Sequence, residues 1–206
     1  MGRPQTISNE EMLAAARDVF LKHGAFGSTK EIARRAGISE AALFKRFSTK
    51  AQLFMAAMAP PTPGIDAIIA RAAAMNSAHK ALHALSQAVL DYFRVAIPLI
   101  LPLVSHPTFG AADLPRNFET SPATNLLKAI AAYLRSENAR GRLKVEDPLA
   151  ASAMLVSALH SIALFEIMGF HDGAMPPAGV RALVDALWRG LEPRTTTTTN
   201  RARKPK

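Results

Sequence analysis

The chain contains no cysteine. Disulfides and thiolate metal sites are therefore excluded. Aromatic residues make up 6% of the 206 residues, with one Trp and two Tyr, and long alternating apolar–polar runs are missing. A β-sheet has little to build on, so an all-α chain is expected. The opening residues, MGRPQTISNEE, lack the apolar stretch of a signal peptide, so a cytoplasmic protein is expected. No nucleophile elbow, phosphate-cradling glycine loop or paired acid–base motif occurs. Catalysis has no support, and neither a cofactor nor a metal is expected. His79 and His83 lie one helical turn apart, a spacing that can chelate, but the sequence places no carboxylate obviously beside them. An ordinary helix surface is the expectation there.

Acidic charge is also short, at 16 Asp and Glu against 25 Lys and Arg, for a net charge of +9. Its distribution matters more than its size. Residues 1–54 hold nine basic and five acidic side chains; residues 193–206 hold five basic and no acidic ones; the stretch between is neutral. A positive field at the two ends suits phosphate near the N-terminal module rather than a basic enzyme core.

What is present is a run of helix start and stop signals. Ser8 with Glu11, Ser28 with Glu31 and Thr49 with Gln52 have the spacing of capping boxes, in which side chains satisfy free backbone N–H groups at a helix start. Ala15, Ala16, Val19 and Phe20 form one apolar stripe, and Gly24 ends it. Ile32, Ala33 and Ala36 form the next. Gly37 suits a sharp turn, and Ser39 caps a second short helix whose Leu43 and Phe47 point inward. Glu40, Ala41, Lys45 and Arg46 are left for its outer side. Short helix, tight turn, second helix with a basic outer face is the helix-turn-helix arrangement, whose second helix enters the major groove. An ordinary helical hairpin with a solvated basic face is the alternative that this spacing alone leaves open.

In order, Ala15, Ala16, Val19, Phe20, Gly24, Ile32, Ala33, Ala36, Gly37, Ile38, Ser39, Leu43, Phe44, Phe47 and Lys50 match the pattern of one family. The segment Ile7 to Phe54 resembles the DNA-binding domain of the TetR family of bacterial transcription regulators. The resemblance implies an N-terminal three-helix helix-turn-helix domain over 1–54. A helical effector-binding and dimerisation domain over 55–192 and a basic, disordered tail over 193–206 would follow. It implies a cytoplasmic homodimer on a palindromic double-stranded operator, most often a repressor, and not an enzyme. Carried onto this chain, the DNA-binding set is Arg3, Ser28, Thr29, Ser39, Glu40, Ala41, Ala42, Phe44, Lys45, Arg46 and Lys50. Glu40, Ala41 and Lys45 are expected to face base edges; Arg46 and Lys50 are expected to hold phosphates. Arg3, beside Pro4, is placed to reach a minor groove from a flexible arm. The chain departs from the family pattern at Thr29, where a larger apolar residue is common. Ala41 and Ala42 replace a frequent Gly-Thr, Phe44 a frequent Tyr, and Arg46 a frequent His.

Beyond residue 54 the text is helical. Pro60-Pro61-Thr62-Pro63-Gly64 must break the fourth helix near Ala59 and suggests a hinge. Residues 79–97 form another helix, with a kink or a new helix at Pro98. Residues 105–121 suit a loop, and 122–140, 148–168 and 177–191 form the remaining helices. The longest uncharged run, Pro148 to Phe165, is rich in Ala and Ser, contains His160 and meets Glu166. A bilayer span needs ~20 strongly apolar residues. A soluble helix capped by Asp147 is expected, and no membrane partner.

The dimer is expected to form through the last two helices, using Leu155, Leu159, Ile162, Val184, Leu187, Trp188 and Leu191. Phe93, Ile97, Ile100, Leu101, Leu126, Ile130 and Leu155 are expected to wall a site for a small lipophilic effector, with Tyr92, Asn125 and His160 as polar contacts. No Arg or Lys cluster lies within these runs, which argues against an anionic effector. Two other readings remain open: an effector-independent DNA-binding dimer, and an all-helical carrier or enzyme with a degenerate head domain.

Overall fold

The computed structural model describes residues 7–105, 122–170 and 173–191. Among them there are helices and no strands, as the sequence predicts. The head comprises α1 (Asn9–His23), α2 (Thr29–Arg35), α3 (Glu40–Arg46) and α4 (Lys50–Met58). The larger body comprises α5 (Ile65–Ala73), α6 (Ala78–Val104), α7 (Pro122–Ala139), α8 (Pro148–Ile167) and α9 (Pro177–Leu191). The arm that carries Arg3, the loop expected at 105–121 beyond Ser105, and the basic tail lie outside the described residues.

Each start signal forms a cap, but only one box is reciprocal. The Ser8 hydroxyl accepts from Glu11 N–H, and the Glu11 carboxylate accepts from Ser8 N–H at 2.9 Å. Ser28 accepts from Glu31 N–H at 3.4 Å, yet the Glu31 carboxylate turns away to Arg34 and Arg35. Two guanidinium groups outcompete one neutral N–H, because they add ion pairing and a forked, two-bond geometry to the carboxylate. Thr49 accepts from Gln52 N–H at 3.1 Å. Asp147 caps α8 through Leu149 and Ala150 N–H.

The head closes on Met12, Ala16, Val19, Phe20, Ile32, Leu43, Leu53 and Phe54. Phe20 and Phe54 meet edge to face, ring centroids 5.0 Å apart. Gly27 lets the α1–α2 connection press onto this pair: a Cβ there would stand 2.9 Å from Val19 Cγ1 and 3.0 Å from the Phe20 ring. The core does not end at residue 54. Ala57, Met58 and, from far along the chain, Leu99 complete it.

That last contact exists because α6 is one helix of 27 residues, about 40 Å long at ~1.5 Å per residue. The sequence predicts a kink or a new helix at Pro98. No new helix begins there; Pro98 and Pro102 both lie inside α6. Each proline removes one helical donor. The flanking Ile97 and Leu99 are 3% and 4% exposed, and their burial in the body core and the head core respectively outweighs the lost bonds. The break at 59–64 is present, with α4 ending at Met58 and α5 starting at Ile65.

By length and composition, α6 and α8 are each apolar enough to cross a membrane. Both are instead the central struts of the body core, sharing Leu82, Leu85, Val89, Phe93, Leu155, Leu159 and Ala163. A polar tie fastens them. Arg94 donates through Nε and Nη2 to the two Glu166 oxygens, each at 2.8 Å, and Met175 N–H donates to the same carboxylate at 2.7 Å. The Arg94 guanidinium, first, and the Met175 N–H hold the Glu166 carboxyl below its ordinary value of 4.5, against the opposing effect of burial. A depressed folded-state pKa means the stabilisation is complete above about pH 4.5 and is lost as pH falls through the lowered value. Arg94→Gln is therefore expected to cost on the order of 1.5–3 kcal/mol near neutrality, as for a charge-assisted bond. It should also flatten the acid limb of a stability–pH curve measured by urea unfolding. An unchanged acid limb would show the pair to be idle.

Candidate nucleic-acid interface

The turn between α2 and α3 is built by Gly37 at φ 66°. Ile38 N–H reaches back to Ala33 C=O at 3.0 Å and Gly37 N–H to Arg34 C=O. The first of these is the long bond that closes a glycine helix terminus. Ser39 then opens α3 by accepting from Ala42 N–H at 3.1 Å. Leu43 is wholly buried, with Ile38 and Phe47 packed against the same core. This fixes which side of α3 faces out: Ala41, Phe44, Lys45 and Arg46 are exposed, and Glu40 and Ala42 half-buried. Of the outer side predicted from sequence, Ala41, Lys45 and Arg46 are exposed, and Glu40 is less so.

Two of its members have other employment. Glu40, expected at base edges, accepts a short hydrogen bond from the Thr29 hydroxyl of α2. This explains why a polar residue stands at position 29: it locks the start of α2 to the start of α3. Arg46, expected on phosphate, donates through Nη1 to Ile7 C=O at 2.7 Å and to Asn9 Oδ1 at 3.3 Å. It ties the end of α3 to the start of α1. Both bonds are additional to the predicted roles, and both come from partners 11 to 39 residues away. Lys45 has neither constraint among the described residues and stands exposed beside Ala41 and Phe44. Lys50, half-buried at the first position of α4 beside the Thr49 cap, adds a cation to a helix start, where backbone N–H groups favour anions. Ser28 is exposed at the start of α2.

Sequence reasoning passed over the outer side of α2. Arg34 and Arg35 clamp Glu31 at 2.7–2.8 Å, and the side-chain bonds from Arg34 and then Arg35 pull the Glu31 carboxyl down to about 2. With Lys30 exposed beside them, this surface keeps a net positive charge. The i, i+3 and i, i+4 spacings are the signal that was available.

Lys50→Ala is expected to weaken binding to all DNA sequences alike and to reduce the slope of log affinity against log salt by about one. A salt series of fluorescence-anisotropy titrations checks it. A sequence-selective loss would instead make Lys50 a reader.

In the body, Phe93, Ile97, Leu126, Ile130 and Leu155 lie together in the core. Tyr92 is half-buried against Phe93, ring centroids 5.5 Å apart, and its hydroxyl titrates above its ordinary value through burial. His160 stands edge-on to Phe93 at 5.3 Å, and burial holds its pKa below the ordinary 6.5. Leu101 and Asn125, predicted as wall and polar contact, are instead exposed among the described residues, and Ile100 is half-buried. Leu155, Leu159, Ile162, Val184 and Leu191, predicted at a dimer seam, are buried inside the protomer's own core. Trp188 packs at a tilt against His79, ring centroids 4.8 Å apart. The surface left open between α8 and α9 is a groove of about 420 Å³ lined by Met154, Leu155, Ala158, Leu183, Ala186, Leu187 and Gly190. The expected ordinary surface at His79 and His83 also needs correction, because α9 brings the Asp185 carboxylate onto both rings.

A capped helix-turn-helix with a basic outer face, joined to an all-helical body, defines a DNA-binding regulator. Residues 12–57 match the family model of bacterial regulatory proteins of the tetR family, and residues 80–187 match that of the AefR-like transcriptional repressor C-terminal domain. The chain belongs to the TetR family. No curated protein matches it significantly. Among solved structures it is similar to a TetR-family regulator from Mesorhizobium loti (TM-score 0.70, 21% identity, 89% of this chain and 96% of that one). It is similar to a transcriptional regulator from Saccharomonospora viridis in complex with choline (TM-score 0.71, 16% identity, 90% and 97%). It is also similar to FadR from Bacillus subtilis in complex with stearoyl-CoA (TM-score 0.61, 15% identity, 88% and 96%). At these identities the likeness is one of fold.

Proposed function

We propose that this protein is a cytoplasmic, non-enzymatic repressor that binds a palindromic operator as a homodimer and is released by a small lipophilic effector. The observation that carries the DNA-binding part is the fixed outer surface of α3, with Ala41, Phe44 and Lys45 presented on a helix capped at Ser39 and anchored by Leu43. Lys45 reads bases, and Phe44, without a hydroxyl, packs on the sugar–phosphate backbone. The dimer forms through the α8–α9 groove. Met154, Ala158, Ser161 and Phe165 make one stripe along α8 at spacings of four, three and four. Their small members let a two-fold copy approach closely. The effector enters beside Tyr92, Phe93 and His160, where a half-buried phenol and an imidazole border an apolar core. Choline and stearoyl-CoA in two similar folds support a small-molecule role for such a body. Leu99, in the core of the head, provides the link: any displacement of α6 reaches the head directly.

A second reading is favoured by one observation. The walls Phe93, Ile97, Leu126, Ile130 and Leu155 are 0–3% exposed and belong to one core cluster, which suits a regulator without an effector. Operator-release assays with neutral lipophiles, matched to Tm shifts, separate the two. Release by at least one compound, abolished by Phe93→Trp, supports the effector; stabilisation without release, or no response to any compound, supports the effector-free dimer.

A further inference from the structure

We propose that His79, His83 and Asp185 form a binding site for a divalent transition metal of the zinc class, fastening α6 to α9. His79 Nε2 lies 2.7 Å and His83 Nε2 2.8 Å from the same Asp185 oxygen, and the two Nε2 atoms are 3.2 Å apart. All three donor atoms fall within 4.8 Å of one another. Ligand atoms ~2.0–2.1 Å from a tetrahedral Zn²⁺ stand about 3.3 Å from each other. The two nitrogens already have that separation, and the carboxylate needs an outward shift of about 0.5 Å to reach it.

Without a metal, both imidazoles can donate Nε2–H to the one Asp185 oxygen, which accepts the two bonds. A cation at the centre would take the place of those two protons and be met by all three donor atoms. The donor set, two imidazoles and one carboxylate, suits zinc and its neighbours rather than Ca²⁺ or Mg²⁺.

The surroundings supply the rest of a site. The i, i+4 pair is held on a regular stretch of α6. Trp188 packs at a tilt against the His79 ring. The triangle opens onto a depression of about 400 Å³ lined by His79, Ala182, Asp185, Trp188 and Arg189. That leaves room for a water or an anion at a fourth position, with the Arg189 cation at hand for the latter. The site lies away from α3, so DNA contacts are not involved.

The test uses the tag-free full chain after chelator treatment. Zn²⁺ competition against a chromophoric chelator is expected to give one equivalent per chain. Co²⁺ is expected to give the visible bands of a four-coordinate ion. Excess Zn²⁺ at a hundredfold over Kd is expected to raise Tm by roughly 5–10 °C. Asp185→Asn, which keeps the side-chain shape, and the double variant H79Q/H83Q are expected to lose the stoichiometric uptake, the Co²⁺ bands and the Tm rise while retaining helical circular dichroism. His160→Gln is expected to keep all three. Wild-type protein that takes up no Zn²⁺ overturns the proposal, as does uptake that H79Q/H83Q retains. Should a variant fail to fold, a wild-type Tm unmoved by Zn²⁺ is sufficient to overturn it.

Discussion

Ala158→Glu is expected to leave the protein folded, monomeric and unable to hold its operator. Ala158 lines the groove between α8 and α9, so a carboxylate there points outward and costs the lone chain little. Against a second copy it would be an unpaired charge in an apolar seam, a penalty of several kcal/mol. Losing the partner head also removes bivalent binding, which multiplies affinity by roughly 10²–10⁴. The neighbouring Leu159 makes the contrast: it is fully buried, and Leu159→Glu is expected to unfold the body outright. Sedimentation velocity and electrophoretic mobility shifts on the two variants check this. An Ala158→Glu chain that remains dimeric would place the seam elsewhere; one that is monomeric and still binds tightly would remove dimerisation from the mechanism.

Phe20→Ala is expected to cost about 3–5 kcal/mol, the range for deleting a fully buried phenyl ring. The loss should fall on the head, where Phe20 meets Phe54 edge to face and Val19 and Phe20 crowd Gly27. A head of about fifty residues has little stability to spare, so DNA binding should disappear. Trp188 is the one tryptophan in the chain and sits in the body, so its fluorescence follows the body alone. Urea unfolding monitored by Trp188 is expected to change little, while far-ultraviolet circular dichroism shows an early, partial loss of helix. A cost below about 1 kcal/mol would contradict the head core described here.

The local half of this structure was legible in the sequence. Ser8, Ser28, Ser39, Thr49 and Asp147 cap the helices they were expected to cap, because a cap depends only on residues three positions away. The same holds for the turn at Gly37 and the break at 59–64. The outward side of α3 was legible because Leu43 and, just past its end, Phe47 are the large residues that point into the head core.

What was not legible is long-range. Glu40 finds Thr29, Arg46 finds Ile7, and Asp185 meets His79 across 106 residues, and none of these pairings has a local signature. In α8 the difficulty was different. Its residues are apolar around the whole circumference, so periodicity could not tell which side faces the protomer's own core and which faces a partner. Leu159 and Ala158 were therefore not separable from sequence. At Pro98, where a kink or a new helix was expected, no new helix begins: Leu99 is buried in the head and Ile97 in the body, and α6 runs on between them.

Selection of bound sequences from random double-stranded DNA, run in parallel on wild-type and Lys45→Ala protein, tests the regulator assignment most directly. The expected result is an imperfect palindrome for the wild type. In the variant, preference should relax at one base pair in each half-site, by ~1–3 kcal/mol, with the remaining positions intact. An asymmetric single site, no enrichment at all, or an identical profile for the two proteins would contradict a two-fold dimer reading DNA through α3.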